Sequence, residues 1–170
     1  MKFMWKCAAI FVLANIAPGV RAQSTRTIYL VRHADKVSDD TDAPLSEAGR
    51  VRAQCLAKTL QDAKVEQIFT SDLQRTQQTA APLADQLHLK PVAIPISKPA
   101  DVVAAVRAST AHSVLVVWHD QTLPGILRGL GAPEITPIGH LEYDRFFVVT
   151  LPGEGKDAPV GFAALRYCLK

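Results

Sequence analysis

The chain has 170 residues, of which 48% are hydrophobic and 21% are charged, and its formal net charge is +3. That length and apolar content suit one globular domain with a substantial core. Three of the basic residues fall in the first 22 positions, and the remaining chain carries sixteen basic and 16 acidic residues. This near-neutral balance argues against nucleic-acid binding, which depends on clustered positive charge.

The N-terminal segment has the features of a secretory signal peptide. Two lysines precede an apolar run over residues 8–17, and Val20-Arg21-Ala22 supplies the small residues that signal peptidase recognises. The run is shorter than the about 20 residues of a membrane helix. We therefore expect a signal peptide over residues 1–22, one domain over residues 23–170, and a secreted or periplasmic protein without stable membrane insertion.

The first predicted strand, Thr27–Val31, stops abruptly at Arg32 and His33. A polar loop over residues 35–44 follows, with four aspartates among its ten residues. Ser46 then begins a helix, because apolar residues recur at three- and four-residue spacing up to residue 63.

The middle of the chain alternates strands and helices. A strand over residues 65–70 leads to a helix over residues 73–87, with Ser71 and Asp72 at its start and Arg75 in its first turn. A third strand over residues 91–96 is bounded by prolines, which favours the edge of a sheet. A short helix over residues 101–109 follows.

The last third begins with Ser113–Trp118, whose continuous apolar run predicts a buried strand that stops at His119. Thr122 begins a helix that ends near Gly129 or Gly131, and strands over residues 145–151 and 163–169 complete the domain. This alternation predicts a three-layer α/β/α sandwich with a mostly parallel central sheet.

Four candidate catalytic residues fall at or just beyond the strand ends: Arg32, His33, Arg75 and His119. Ligands of such sheets bind at that edge. Arginine matches the oxygens of an oxyanion, and a neutral imidazole can attack an electrophile. These residues predict a phosphoryl pocket in which His33 is the nucleophile and the other three stabilise charge.

Each of these residues also has a structural interpretation. Arg32 would pair with the aspartate-rich loop, Arg75 would be solvated on a polar helix, and either histidine would be an ordinary core residue. The phosphoryl pocket is favoured because all four residues meet the same edge. Lys36 and Thr122 border that edge and are candidate substrate-binding residues.

Four segments in order resemble the histidine phosphatase superfamily, which has the phosphoglycerate mutase-like fold. They are Leu30-Val31-Arg32-His33-Ala34, the helix entry Pro44–Arg50, the segment Thr70–Ala80, and Val116-Val117-Trp118-His119. The resemblance implies that His33 becomes transiently phosphorylated, and that Arg32, Arg75 and His119 bind the phosphoryl group.

Two positions depart from the family pattern. Trp118 stands where the family commonly has glycine, and it would narrow the mouth of the pocket or reshape the turn. Asp120 stands where a small neutral polar residue is usual. We expect its side chain to face solvent or to cap the next helix rather than to take part in catalysis.

The residue that protonates the leaving group is not evident. Family members often place a carboxylate after the second helix, but residues 91–100 contain none. Asp101 and Asp35 are the candidates. Asp101 suits a surface helix cap, and Asp35 suits an ion pair with Lys36 or Arg50.

Cys55 and Cys168 lie outside the signal peptide, and an oxidising compartment would let them pair. Because Cys55 falls within a helical pattern, the sequence favours two small buried side chains instead. Neither a CxxC motif nor a Cys/His cluster with metal-ligand spacing occurs, so we expect neither a metal nor another cofactor.

The sequence thus predicts a metal-independent phosphatase acting on a phosphorylated small molecule or phosphoprotein. Two alternatives stay open. A phosphomutase would return the phosphoryl group to its substrate, and a non-catalytic protein would bind or sense phosphate.

Overall fold

Helices and strands alternate in the computed structural model, which describes residues 25–153 and 159–168. Within those residues the elements are β1 (Arg26–Arg32), α1 (Glu47–Thr59), β2 (Gln67–Ser71), α2 (Gln74–Leu87), β3 (Val92–Ile94), α3 (Pro99–Ala108), β4 (Ser113–Trp118), α4 (Leu123–Gly129), β5 (Arg145–Leu151) and β6 (Gly161–Arg166). The predicted signal peptide lies outside them. No helix in the described ranges has the length and apolar character needed to cross a membrane.

The strands form one sheet in the order β3-β2-β4-β1-β5-β6. Strands β1 to β4 are mutually parallel, whereas β5 runs antiparallel to β1 and β6 antiparallel to β5. The expected mostly parallel α/β sheet is confirmed. Strand β3 lies at an edge, as its flanking prolines predict.

Strand β4 shows how the three layers arise. Val116 and Trp118 belong to a core cluster with residues of α3 and α4, whereas Leu115 and Val117 belong to a second cluster with residues of α1 and α2. Successive side chains of a strand point to opposite faces of the sheet, so a strand covered by helices on both faces is apolar throughout. All six residues of β4 are buried.

The register of β1 and β4 places the two candidate histidines together. Arg32 at the end of β1 is paired with Trp118 at the end of β4. The amide of His33 then donates to the carbonyl oxygen of Trp118 at 2.9 Å. His33 and His119 therefore leave the sheet side by side at the carboxyl ends of neighbouring parallel strands.

Some predicted boundaries differ from the structure. The apolar periodicity predicts that α1 continues to residue 63, but the helix ends at Thr59. Leu60 and Ala63 still pack against the core on that side of the sheet, although they lie outside the helix. Periodicity reports burial, and burial continues here beyond the last helical hydrogen bond.

The two cysteines form a disulfide bond, contrary to the expectation that they are separate buried side chains. Cys55 in α1 is bonded to Cys168, which follows β6, with the Cα atoms 6.1 Å apart. Both side chains are only partly buried. The bond joins residues separated by 113 positions, a relationship that local helical periodicity does not report.

Candidate active site

One cavity contains all four residues predicted to be catalytic. It has a volume of about 210 Å³ and is lined by Arg32, His33, Lys36, Arg75, Ile96, His119, Asp120, Gln121, Thr122 and His140. His33 directly follows β1, His119 directly follows β4, and Arg75 lies in the first turn of α2. The fold therefore brings two guanidinium groups and two imidazoles into one small space.

His33 is held as a neutral imidazole. Its side chain is 2% exposed, and Nδ1 lies 2.8 Å from the carbonyl oxygen of Ala34. A carbonyl only accepts, so Nδ1–H donates and Nε2 keeps a lone pair. Burial, together with the nearby His119, Arg32 and Arg75, lowers the pKa of His33 to about 3. Near neutral pH this nitrogen can act as a nucleophile.

His119 is neutral for a related reason. Burial and the charges of Arg75 and Arg32 lower its pKa to about 3. Its Nε2 lies 2.8 Å from Oγ of Ser71, and Nη2 of Arg75 donates to its Nδ1 at 3.4 Å. This arrangement places the proton of His119 on Nε2, which donates to Ser71. Its Nδ1 is the nitrogen on the side of Arg75.

Ser71 was expected only to start a helix, but it also holds the second histidine. Besides its contact with His119, its Oγ accepts from the amide of Leu73 at 3.2 Å and lies 2.9 Å from Oγ1 of Thr76. Ser71 and Thr76 are both fully buried. A buried hydrogen-bond network of this kind fixes the ring orientation of His119.

Arg75 is anchored by the loop that follows β1. Its Nη1 donates to the carbonyl oxygen of Thr41 at 2.7 Å, and the amide of Gln74 donates to the Asp42 carboxylate at 2.7 Å. Burial lowers the pKa of Arg75, although an arginine stays charged at neutral pH. Its Nε is buried without a hydrogen-bond partner among the described residues.

The segments around His33 also fit closely at the backbone. Gly49 in α1 lies against Asp35, where an added Cβ would overlap the Asp35 carbonyl oxygen. The amide of Ala34 donates to Oγ1 of Thr79 at 2.9 Å. The glycine and the threonine of the two helix motifs therefore position the backbone on either side of the site.

Arg32 is clamped from several directions and is only 2% exposed. Its Nη1 donates to the carbonyl oxygens of Gly139, His140 and Glu142 at 3.0, 2.8 and 3.3 Å. The guanidinium carbon lies 4.2 Å from the ring centroid of Tyr143, a cation–π contact. These contacts all come from one irregular segment, residues 139–143.

Asp120 is the ion-pair partner of Arg32, which corrects two expectations. Its Oδ2 lies 3.0 Å from Nη2 of Arg32, and its side chain is 19% exposed. Oδ1 accepts from the amide of Gln121 at 3.0 Å. The partner of Arg32 is thus not the aspartate-rich loop, and Asp120 does not simply face solvent. Its carboxylate is the only one among the residues that line the cavity.

The comparisons with known proteins agree with this geometry. The sequence profile of the histidine phosphatase superfamily (branch 1) matches residues 28–96, from β1 through the end of β3 and the two residues after it. This segment of the chain carries the sequence pattern of the histidine phosphatase superfamily. The matched segment includes Arg32, His33 and Arg75, and the structure adds His119 from β4 to the same cavity.

Curated relatives match this chain over a limited span. A protein named "Probable phosphoglycerate mutase GpmB" from Yersinia enterocolitica is 36% identical over 75 residues, which are 40% of this chain and 35% of the relative. A Yersinia pestis protein of the same name has the same identity and coverage. The chain thus matches about a third of the length of these relatives.

Solved structures of the superfamily share the fold over most of the chain. The protein histidine phosphatase SixA complexed with tungstate has a TM-score of 0.67 at 24% identity, covering 82% of this chain and 96% of that one. A mycobacterial glucosyl-3-phosphoglycerate phosphatase with inorganic phosphate has a TM-score of 0.60 at 17% identity, covering 73% and 89%. Similarity at this level establishes the common fold.

Neither candidate proton donor lies in the cavity. Asp35 pairs with Nε of Arg52 at 2.7 Å, not with Lys36 or Arg50, and it lines a different depression. Asp101 is exposed in the first turn of α3. Their positions give no support to a role in proton transfer.

Trp118 does not narrow the mouth. It is fully buried in the core beneath the site, and its ring meets that of His119 edge-on with the centroids 5.7 Å apart. The large side chain therefore packs against His119 within the core and does not line the cavity.

Both candidate substrate-binding residues line the cavity. Nζ of Lys36 is 2.7 Å from the Asp39 carboxylate. Thr122 precedes α4, but its side chain makes no capping hydrogen bond. Its hydroxyl is buried without a partner among the described residues.

Sequence reasoning missed the segment that clamps Arg32, because residues 133–142 have neither helical nor strand periodicity. It also missed His140, which lines the cavity from that segment. Within the described ranges, no group of three or more His, Cys, Asp and Glu side chains is placed to hold a metal ion.

Proposed function

We propose that the protein is a metal-independent phosphatase that forms a phosphohistidine on His33. The observation that carries the proposal is a neutral, buried imidazole beside two guanidinium groups. Nδ1 of His33 is tied to Ala34, and Arg32 and Arg75 line the same cavity. The arginines supply positive charge where charge accumulates on the phosphoryl oxygens.

In the first step, Nε2 of His33 attacks phosphorus, and the bond from phosphorus to the leaving oxygen breaks. The negative charge of the bound phosphoryl group favours the protonated form of His119, whose Nδ1, beside Arg75, takes up a proton from solvent and donates to a phosphoryl oxygen. In the second step, water attacks the phosphohistidine, the P–N bond breaks, and His33 regains its lone pair. Inorganic phosphate leaves as the product.

Asp120 is our candidate for the proton donor. A phosphoryl group that binds Arg32 comes close to the Asp120 carboxylate, which is paired with the same guanidinium. Two anions so close raise the proton affinity of the carboxylate. Protonated Asp120 then gives its proton to the leaving oxygen, and the resulting carboxylate takes a proton from the attacking water. General acid–base catalysis of this kind contributes about 10²- to 10⁴-fold.

Trapping the intermediate tests the nucleophile. Brief exposure to a radiolabelled phosphoryl donor should label the protein in an acid-labile, alkali-stable bond. His33→Ala should lose both the label and the activity. His112→Ala is the matched control, because His112 is 62% exposed and does not line the cavity. Full activity in His33→Ala, without any label, would refute the mechanism.

A phosphomutase is the second candidate, because the curated relatives carry the name phosphoglycerate mutase. The same pocket could return the phosphoryl group to a second oxygen of its substrate. Incubation with a phosphoglycerate separates the two activities. A phosphatase releases inorganic phosphate, and a mutase forms the isomer. Tight phosphate binding with neither reaction would instead indicate a phosphate-binding or sensing protein.

We further propose that residues 1–22 are a signal peptide and that the protein is secreted or periplasmic. The disulfide between Cys55 and Cys168 supports this proposal, because such bonds persist in oxidising compartments. N-terminal sequencing of the exported protein should begin at Gln23. Retention of the first 22 residues in a reduced cytoplasmic protein would contradict it.

A further inference from the structure

An apolar groove opens beside the phosphoryl cavity. It lies between α3 and α4, has a volume of about 500 Å³, and is lined by Pro99, Ala100, Val103, Gln121, Thr122, Gly125, Ile126 and Gly129. None of these residues is charged. Gln121 and Thr122 line both the groove and the cavity, so the two spaces adjoin each other.

Other residues of the cavity are polar or charged and do not line the groove. Lys36 and His140 line the cavity, and both approach the Asp39 carboxylate, at 2.7 and 3.9 Å. The groove is therefore the apolar space that adjoins a polar phosphoryl cavity.

The proton donor proposed above is next in sequence to the residues shared by the two spaces. Asp120 lines the cavity and directly precedes Gln121 and Thr122, which line both the cavity and the groove. A donor must lie within hydrogen-bond reach of the leaving oxygen. The group attached to that oxygen is therefore expected close to Gln121 and Thr122.

We infer that the groove between α3 and α4 binds the apolar part of the leaving alcohol, so that the substrates are phosphate monoesters of alcohols bearing an apolar chain or ring. This inference rests on the proposed phosphatase function. It extends that function from the phosphoryl group, which the cavity recognises, to the rest of the substrate.

Two glycines line the groove, and they differ in the space available for a side chain. A Cβ at Gly125 would meet no atom within 4 Å, whereas a Cβ at Gly129 would come within 2.8 Å of the Val103 side chain. The Cβ atom of Gly125→Leu therefore displaces no neighbour, and the rest of the leucine side chain takes up space in the groove. Gly125→Ala adds only one methyl group and serves as its matched control, while Val103→Ala widens the groove.

The experiment compares phenyl phosphates carrying para-alkyl groups from hydrogen to butyl, whose leaving groups have nearly equal acidity. Each buried methylene should raise kcat/KM up to about fourfold. We expect at least a tenfold rise across the series for the natural protein and for Gly125→Ala, and a rise below about twofold for Gly125→Leu. The slope is a ratio within one variant, so any general loss of activity cancels.

Alkylphosphonates separate this inference from the phosphatase proposal, because they bind without turnover. Affinity that rises from methyl- to hexylphosphonate, and no longer rises in Gly125→Leu, supports the groove even if no phosphate ester is hydrolysed. Hydrolysis without any dependence on chain length would leave the phosphatase intact and overturn the groove. If the natural protein self-associates in sedimentation, and Gly125→Leu abolishes that association without changing the dependence on chain length, the groove is an interface between copies and the inference is also overturned.

Discussion

The guanidinium of Arg32 and the carboxylate of Asp120 lie 3.0 Å apart in the wall of the cavity that contains His33. Because Nη2 carries two N–H groups, a phosphoryl oxygen that binds there either shares this nitrogen with the Asp120 carboxylate or displaces it. A bound oxyanion therefore lies close to a carboxylate, and this feature distinguishes the site from a simple ring of positive charge.

Asp120→Asn should separate binding from turnover. Without the competing negative charge, inorganic phosphate should bind about tenfold more tightly at pH 7. Turnover of alkyl phosphates should fall by about 10²-fold or more, because their leaving oxygens need a proton. Turnover of p-nitrophenyl phosphate should fall much less. Steady-state kinetics with both substrates and calorimetric titration with phosphate measure these effects.

Asp62→Asn is the control for that substitution, since Asp62 is exposed and outside the cavity. Equal losses on both substrates in Asp120→Asn would remove Asp120 as the proton donor. Unchanged phosphate affinity would show that Arg32 binds the oxyanion without displacing Asp120.

The two buried histidines should make the fold sensitive to acid. Their pKa values are lowered by burial from 6.5 to about 3, so the unfolded chain binds protons that the folded chain does not. The free energy of unfolding should then fall as pH drops below about 6.5, by about 2 kcal/mol per histidine between pH 7 and pH 5. Urea unfolding at the two pH values measures this loss.

His33→Gln should remove about half of that pH dependence, because one of the two buried imidazoles is gone. The exposed His112 provides the comparison, and His112→Gln should keep the full loss. An equal pH dependence in all three proteins would show that the imidazole of His33 is protonated as readily in the folded state as in the unfolded chain.

Sequence patterns located the residues that follow the strands, because an apolar run that stops at a charged residue marks both the strand and its end. Arg32, His33 and His119 were found in this way, and Arg75 from its place in a helix start. The contact between Arg32 and Asp120 was not predicted. It joins the end of β1 to the residues that follow β4, and it depends on the register between these two strands. The bond between Cys55 and Cys168 was not predicted for a similar reason, because it joins residues that are distant in the sequence.

Arg166 should act as a positioning residue for Arg32. It pairs with Glu142 at 2.8 Å and with Asp144 at 2.6 Å, and the Glu142 carboxylate accepts from the Gly139 amide at 2.8 Å. These contacts hold the segment whose carbonyl oxygens bind Arg32. Arg166→Gln should therefore raise KM and weaken phosphate binding several-fold, with a smaller effect on kcat.

Arg166→Lys keeps the positive charge and should partly restore KM, which a general loss of stability would not explain. Arg107→Gln offers a matched control, because Arg107 also donates to a backbone carbonyl, that of Gly129, far from this segment. A change confined to the unfolding midpoint, with KM unaltered, would show that Arg166 is only structural.

The disulfide should stabilise the fold by restricting the unfolded chain. The bond from Cys55 to Cys168 closes a loop with a sequence separation of 113, and loops of this size lower the entropy of the unfolded state enough to contribute about 3–5 kcal/mol. Reduction of the natural protein should therefore lower the urea midpoint. The double variant Cys55→Ser with Cys168→Ser should start from that lower midpoint and not respond to reductant. If reductant leaves the urea midpoint of the natural protein unchanged, although titration shows that both thiols are free, the bond contributes nothing to stability.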